Sequence, residues 1–246
     1  MARFLLVHGA MGGAWVWERV ITGLEDCGHA ARAIDLPGQG ADTTPLPEIT
    51  LYRYADAVCE ALDDGGGPSL LVGHSMGGMV VSQAASQRPE LVIGLVYVAA
   101  FLPQRGQSLI DITQLPEAAG DSVQANIVVE GEPPVATMPP DRAPEALYHC
   151  ANEEQLAWAM PRRGSQPVIP FTQPFTPPED TAAFDALPRA YVTSLQDRAI
   201  KPAVQRRMFE AAGAAPVIEI DTDHAPWLSR TEELVAALHR IAGEFA

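Results

Sequence analysis

Cysteine, aromatic side chains and basic residues are all scarce in this chain, and long apolar runs are absent. Cys27, Cys59 and Cys150 are widely spaced and form no C-x-x-C pair, which excludes a disulfide framework and a cysteine-ligated zinc site. They are expected to be buried free thiols in a reducing compartment. Lys and Arg number 16 against 31 Asp plus Glu, a formal charge of −15. Such a chain repels a phosphate backbone, so nucleic acid is not an expected partner. The first apolar stretch, Phe4 to Val7, is too short for a signal-peptide core, and nothing later approaches a membrane span. These absences point to a soluble cytoplasmic protein with no membrane partner.

Ala, Val and Leu dominate the apolar residues, as suits a buried parallel sheet covered by helices. The unbroken apolar run Phe4–Val7 and the largely apolar stretches 30–34, 69–72, 91–99, 190–194 and 216–220 predict six strands. Helical spacing follows most of them: Val16, Val20 and Leu24; Leu51, Ala55, Val58 and Leu62; the stretch 75–87; 202–212; and Leu234, Val235, Leu238 and Ile241. Ser229 and Glu232 have capping-box spacing at the start of the last helix. From 101 to 188 the alternation lapses and prolines accumulate around a predicted helix at 145–160. The expected organisation is an α/β core at 1–100 and 189–246 with an inserted cap at 101–188.

Gly73-His74-Ser75-Met76-Gly77 is a G-x-S-x-G pattern lying between a predicted strand and a predicted helix. A chain that reverses this sharply strains its central residue and exposes the serine oxygen, which is what a nucleophile needs. A serine hydroxyl also needs a positioned base. His29 opens a predicted strand, His149 lies in the cap and His239 is on the solvent side of the last helix. His8 and His74 sit in tight loops that suit structural hydrogen bonds. His224 follows the last strand, at the end of the sheet where open α/β folds place their sites. Asp197 follows the penultimate strand and completes the order Ser, Asp, His. Asp221 and Asp223 are alternatives nearer in sequence. The backbone N–H groups of Met76 and of Ala10, in the loop His8 to Gly13, are the candidate oxyanion donors.

These residues resemble the α/β-hydrolase superfamily, in particular the branch of plant methylesterases and hydroxynitrile lyases with their bacterial esterase relatives. The likeness spans nearly the whole chain and includes Val7-His8-Gly9-Ala10, Trp15, Trp17, Asp35 to Gly38, the elbow and Tyr97 to Pro103. It implies an α/β-hydrolase fold with a helical lid over an apolar pocket, and neither metal nor organic cofactor. Hydroxynitrile lyases of this branch typically carry Thr where Gly9 stands and Lys where Ala225 stands, so ester hydrolysis of a small to medium apolar ester is the expected chemistry. Rival readings are carbon–carbon hydrolysis, hydroxynitrile lysis or cofactor-free oxygenation on the same scaffold, and a ligand-sensing protein that retains the triad. Met11, Trp158, Met160, Phe171 and Phe175 are the candidate pocket residues. A small-molecule ester is the expected partner, and a homo-oligomer is compatible with the sequence.

Overall fold

Phe4 to Val7 is apolar at every position because both faces of its strand are covered. In the computed structural model, which describes residues 1–245, Phe4 and Leu6 enter one core layer and Leu5 and Val7 the other. This strand, β1 (Arg3–Val7), is followed by α1 (Glu18–Asp26), β2 (Ala30–Ile34), α2 (Leu51–Asp64), β3 (Ser69–His74), α3 (Gly77–Gln87) and β4 (Val92–Val98). An insertion then contributes α4 (Leu109–Thr113), β5 (Val128–Glu130), β6 (Val135–Thr137), α5 (Ala143–Leu147), α6 (Glu153–Ala159), β7 (Gln166–Pro167), α7 (Ile169–Thr172) and α8 (Ala182–Asp185). The alternation resumes with β8 (Arg189–Ser194), α9 (Pro202–Ala211), β9 (Val217–Ile220), α10 (Pro226–Ser229) and α11 (Thr231–Glu244).

The main sheet has the order β2-β1-β3-β4-β8-β9, and every neighbouring pair is parallel. This is the α/β-hydrolase fold. Residues of α2, α3 and α9 join the layer on one face, and residues of α1, α10 and α11 join the layer on the other. From β1 the chain crosses to β2 on one side, then returns past β1 to β3. That reversal opens a crevice at the carboxyl ends of β1 and β3.

Several local expectations fail for identifiable reasons. The predicted helix at 145–160 is two helices, α5 and α6, because Asn152 caps the second through a reciprocal capping box with Gln155. The insertion is not purely helical: β5, β6 and β7 form a small antiparallel sheet. Ser229 does not cap α11, whose N-cap is Arg230. It ends α10, where its hydroxyl donates to the Asp223 carboxylate at 2.9 Å. All three cysteines are free, but Cys27 is exposed and Cys150 half-buried, leaving Cys59 alone in the core. No described helix is long and apolar enough to cross a membrane.

Backbone meets backbone most closely at the end of β3 and the start of α3. A Cβ built on Gly78 would stand 2.0 Å from the Phe101 carbonyl oxygen, and one on Gly73 2.6 Å from that of Gly77. Backbone cannot yield as a flexible side chain can, so Gly78→Ala is expected to destabilise the fold by about 1–3 kcal/mol. A urea midpoint within error of the wild type would contradict this.

Candidate active site

Ser75 sits at the turn from β3 into α3 with φ of 53°, a left-handed conformation that L side chains other than Asn and Asp rarely adopt. The conformation is held from both sides. Ser75 N–H donates to the Val98 carbonyl at 3.4 Å, and the Ser75 carbonyl accepts from Gly78 N–H and Phe101 N–H, each at 3.0 Å. The hydroxyl is thereby turned out of the sheet toward the loop after β9.

That loop carries His224. Its Nε2 lies 2.9 Å from Ser75 Oγ and its Nδ1 2.8 Å from Asp197 Oδ2. Nδ1–H donates to the carboxylate, which leaves Nε2 free to accept the serine proton. Asp197, 3% exposed, is held by four donors. Oδ1 accepts from Ala199 N–H at 2.7 Å and Ile200 N–H at 2.9 Å, and Oδ2 accepts from His224 and from Gln205 Nε2 at 2.9 Å. The other end of the fully buried Gln205 amide accepts from Thr193 Oγ1 at 2.8 Å, tying the carboxylate to β8. Sequence reasoning missed Gln205. Its signal was a polar residue between Val204 and Met208 on the buried face of α9.

Neither alternative carboxylate hydrogen-bonds the His224 ring. Asp221 accepts from Gln196 Nε2 at 2.9 Å. Asp223 closes the loop, accepting from Ala225 N–H at 3.0 Å, from Ser229 Oγ, and from Cys150 N–H of the insertion at 2.7 Å. The other loop histidines are scaffolding. His8 Nδ1–H donates to the Gly9 carbonyl at 2.8 Å while its Nε2 accepts from Leu36 N–H at 3.1 Å. His74 Nε2–H donates to the His224 carbonyl at 2.7 Å. Burial holds both below the ordinary value of 6.5, His74 well below, with the neighbouring His224 charge as the second cause there.

The N–H groups of Ala10 and Met76 donate no hydrogen bond within the described residues. Both residues, with Ser75 and His224, line a cavity of about 280 Å³ whose walls are mainly apolar, among them Trp15, Phe101, Met138 and Trp227. Two unpaired donors beside an accessible hydroxyl form a geometry that can stabilise a negative oxygen.

Of the five candidate pocket residues, Met11 and Phe171 line this cavity; the other three do not. Trp158 packs edge-on against Trp15 from behind and lies between the guanidinium groups of Arg19 and Arg162, at 4.7 and 4.4 Å. Met160 packs against the core layer beneath the insertion. Phe175 is buried against Phe184 and faces a separate cleft. In each case the apolar side chain serves packing between the insertion and the core.

A model of the family described as "Alpha/beta hydrolase family" matches residues 4–237. The chain is similar to Methylesterase 7 of Arabidopsis thaliana, with 31% identity over 260 residues, covering 99% of this chain and 97% of that protein. It is also similar to an alpha-hydroxynitrile lyase of the same plant, with 30% identity over 255 residues and coverage of 98% and 97%. Among solved structures, a pyrethroid hydrolase from Sphingobium faniae superposes with a TM-score of 0.85 at 27% identity, covering 98% of this chain and 97% of that one.

Because burial lowers the pKa of His8 and, more strongly, of His74 in the folded state, the unfolded chain binds more protons at these positions as pH falls below about 6.5. Their contribution is therefore fully present above that pH and declines as pH falls toward the folded-state values, by roughly 1 kcal/mol per pH unit for each histidine. His74→Gln, which keeps a donor for the His224 carbonyl, should flatten the stability profile between pH 6.5 and 5. A profile as steep as the wild type would contradict the assignment.

Proposed function

The chain belongs to the alpha/beta hydrolase family and is a carboxylic ester hydrolase, and we propose that it acts through an acyl-enzyme on Ser75. The observation that carries this reading is the continuous relay from Ser75 Oγ through His224 to Asp197, at 2.9 and 2.8 Å, opening into an apolar cavity. In the proposed reaction, His224 Nε2 takes the serine proton as Oγ bonds to the ester carbonyl carbon. Asp197 keeps Nδ1 protonated and stabilises the imidazolium. The carbonyl oxygen becomes an oxyanion facing the N–H groups of Ala10 and Met76. His224 then gives its proton to the departing alkoxide, and water, activated by the same nitrogen, releases the acid.

The hydroxynitrile lyase relative raises the question of cyanohydrin cleavage, and two features weigh against it. Cyanide leaves as an anion, yet Ala225 is buried and no Lys or Arg lines the cavity. A Cβ on Gly9 would stand 2.7 Å from Ser75 Cβ, so a threonine there would push directly on the nucleophile. The apolar lining supports a small to medium, mainly apolar ester, with residues 101–188 forming a cap over it.

Ser75→Ala is expected to lower turnover of small aryl and alkyl esters by at least about 10⁴-fold, and undiminished hydrolysis would refute the mechanism. Gln205→Leu removes one charge-assisted hydrogen bond from Asp197 and should lower kcat by about 10- to 100-fold while changing KM little. A variant that raises KM and spares kcat would show that Gln205 does not act through the carboxylate.

A further inference from the structure

Three aspartates are buried among the described residues, and they differ in how well they are satisfied. Asp197 accepts from four groups, and Asp223 from the loop, α10 and the insertion. Asp121, 3% exposed, accepts from one residue alone: Gln124 N–H bonds Oδ1 at 2.7 Å and Gln124 Nε2 bonds Oδ2. A carboxylate has about four acceptor sites, so half of its capacity is unused. Unlike the other two, Asp121 lines the cavity that contains Ser75.

No basic side chain answers this charge. Two basic residues approach from the loop after β8, but Arg198 pairs with Glu145 and Lys201 Nζ donates to the Ala119 carbonyl. Neither lines the cavity, and Asp121 makes no salt bridge. Gln124 is itself fixed, its Nε2 also donating to the Thr113 carbonyl at 2.9 Å and its Oε1 accepting from Gln114 Nε2 at 3.2 Å. Thr113, Gln114, Asp121 and Gln124 thus make a braced polar wall in a cavity that, apart from this wall and the residues around Ser75, is mainly apolar, with a carboxylate that makes no salt bridge. A buried anion in that state is completed most effectively by a cation with a hydrogen to donate. The chain's formal charge of −15 further favours cations and disfavours anions near the cavity.

We propose that Asp121 is a specificity-determining residue that selects esters bearing a protonated amine on an otherwise apolar skeleton, and that anionic esters are rejected. The inference rests on the ester-hydrolase reading of the same cavity. It concerns binding, so it can be tested apart from turnover.

The probes are isosteric pairs in which a protonated nitrogen replaces a CH: 2-(dimethylamino)ethyl acetate against 3-methylbutyl acetate, and methyl 4-(dimethylamino)butanoate against methyl 5-methylhexanoate. Binding is measured by calorimetry at neutral pH in the Ser75→Ala protein. In at least one pair the ammonium ester is expected to bind about tenfold tighter or more. That advantage should vanish when Asp121→Asn is added and persist with Asp121→Glu, which keeps the charge. Equal affinities within both pairs, or an advantage that survives Asp121→Asn, would overturn the proposal. Wild-type turnover of the same esters is read separately. A binding preference without any hydrolysis would leave the Asp121 site standing and defeat the ester-hydrolase reading.

Discussion

The close approach of backbone to backbone around Ser75 is the constraint on which the rest of the site depends. For the serine oxygen to leave the sheet, α3 must begin almost in contact with the ends of β1 and β4. A Cβ on Gly77 would stand 2.7 Å from the Val7 carbonyl oxygen, and Gly78 is closer still to that of Phe101. The hydrogen bonds from Gly78 and Phe101 to the Ser75 carbonyl exist because of this proximity. So does the position of the Ala10 loop, which leaves β1 beside Ser75. Glycine occurs here because no side chain fits, and the strained Ser75 backbone is maintained by neighbours that have nowhere to move.

Electrostatically the site is a buried negative charge surrounded by donors that cannot follow a proton. Asp197 receives two backbone N–H groups and an amide before it meets His224, so its charge is stabilised without a nearby guanidinium or ammonium. His8 and His74 lie close by yet are kept neutral by burial and by partners that fix their tautomers. Of the three imidazoles, that of His224 is the one hydrogen-bonded to Ser75 Oγ.

Legibility in the sequence followed how local the determining physics was. The central strands β1, β3 and β4 were readable because they are buried on both faces and largely apolar, the edge strands β2 and β9 from shorter mixed runs, and the elbow because its glycines obey a local steric rule. Chain order singled out Ser75, Asp197 and His224, which the structure brings together from three loops. The insertion was less legible because its short elements take their stability from the core beneath them. Trp158, Met160 and Phe175 look from their apolar character like pocket residues, but periodicity cannot tell which neighbour a buried face meets. Gln205 and Asp121 carry no periodic signal because each is an isolated polar residue, and Asp223, readable only as an alternative to Asp197, has a role that depends on a partner 73 positions distant. Ser229 had the spacing of a cap, and the nearby Asp223 carboxylate gave its hydroxyl a different partner.

Asp223 is one of the links between the loop after β9 and the insertion. One oxygen closes the turn that presents His224, and the other receives the amide of Cys150 from the insertion. Because this contact uses backbone, any residue at 150 except proline can supply it. This link therefore constrains the path of the insertion's main chain and not the identity of the side chain at position 150. Chimaeras that exchange caps between relatives should be cut so that this strut is carried over whole, since a graft that misses it would disturb the imidazole without altering any residue of the relay.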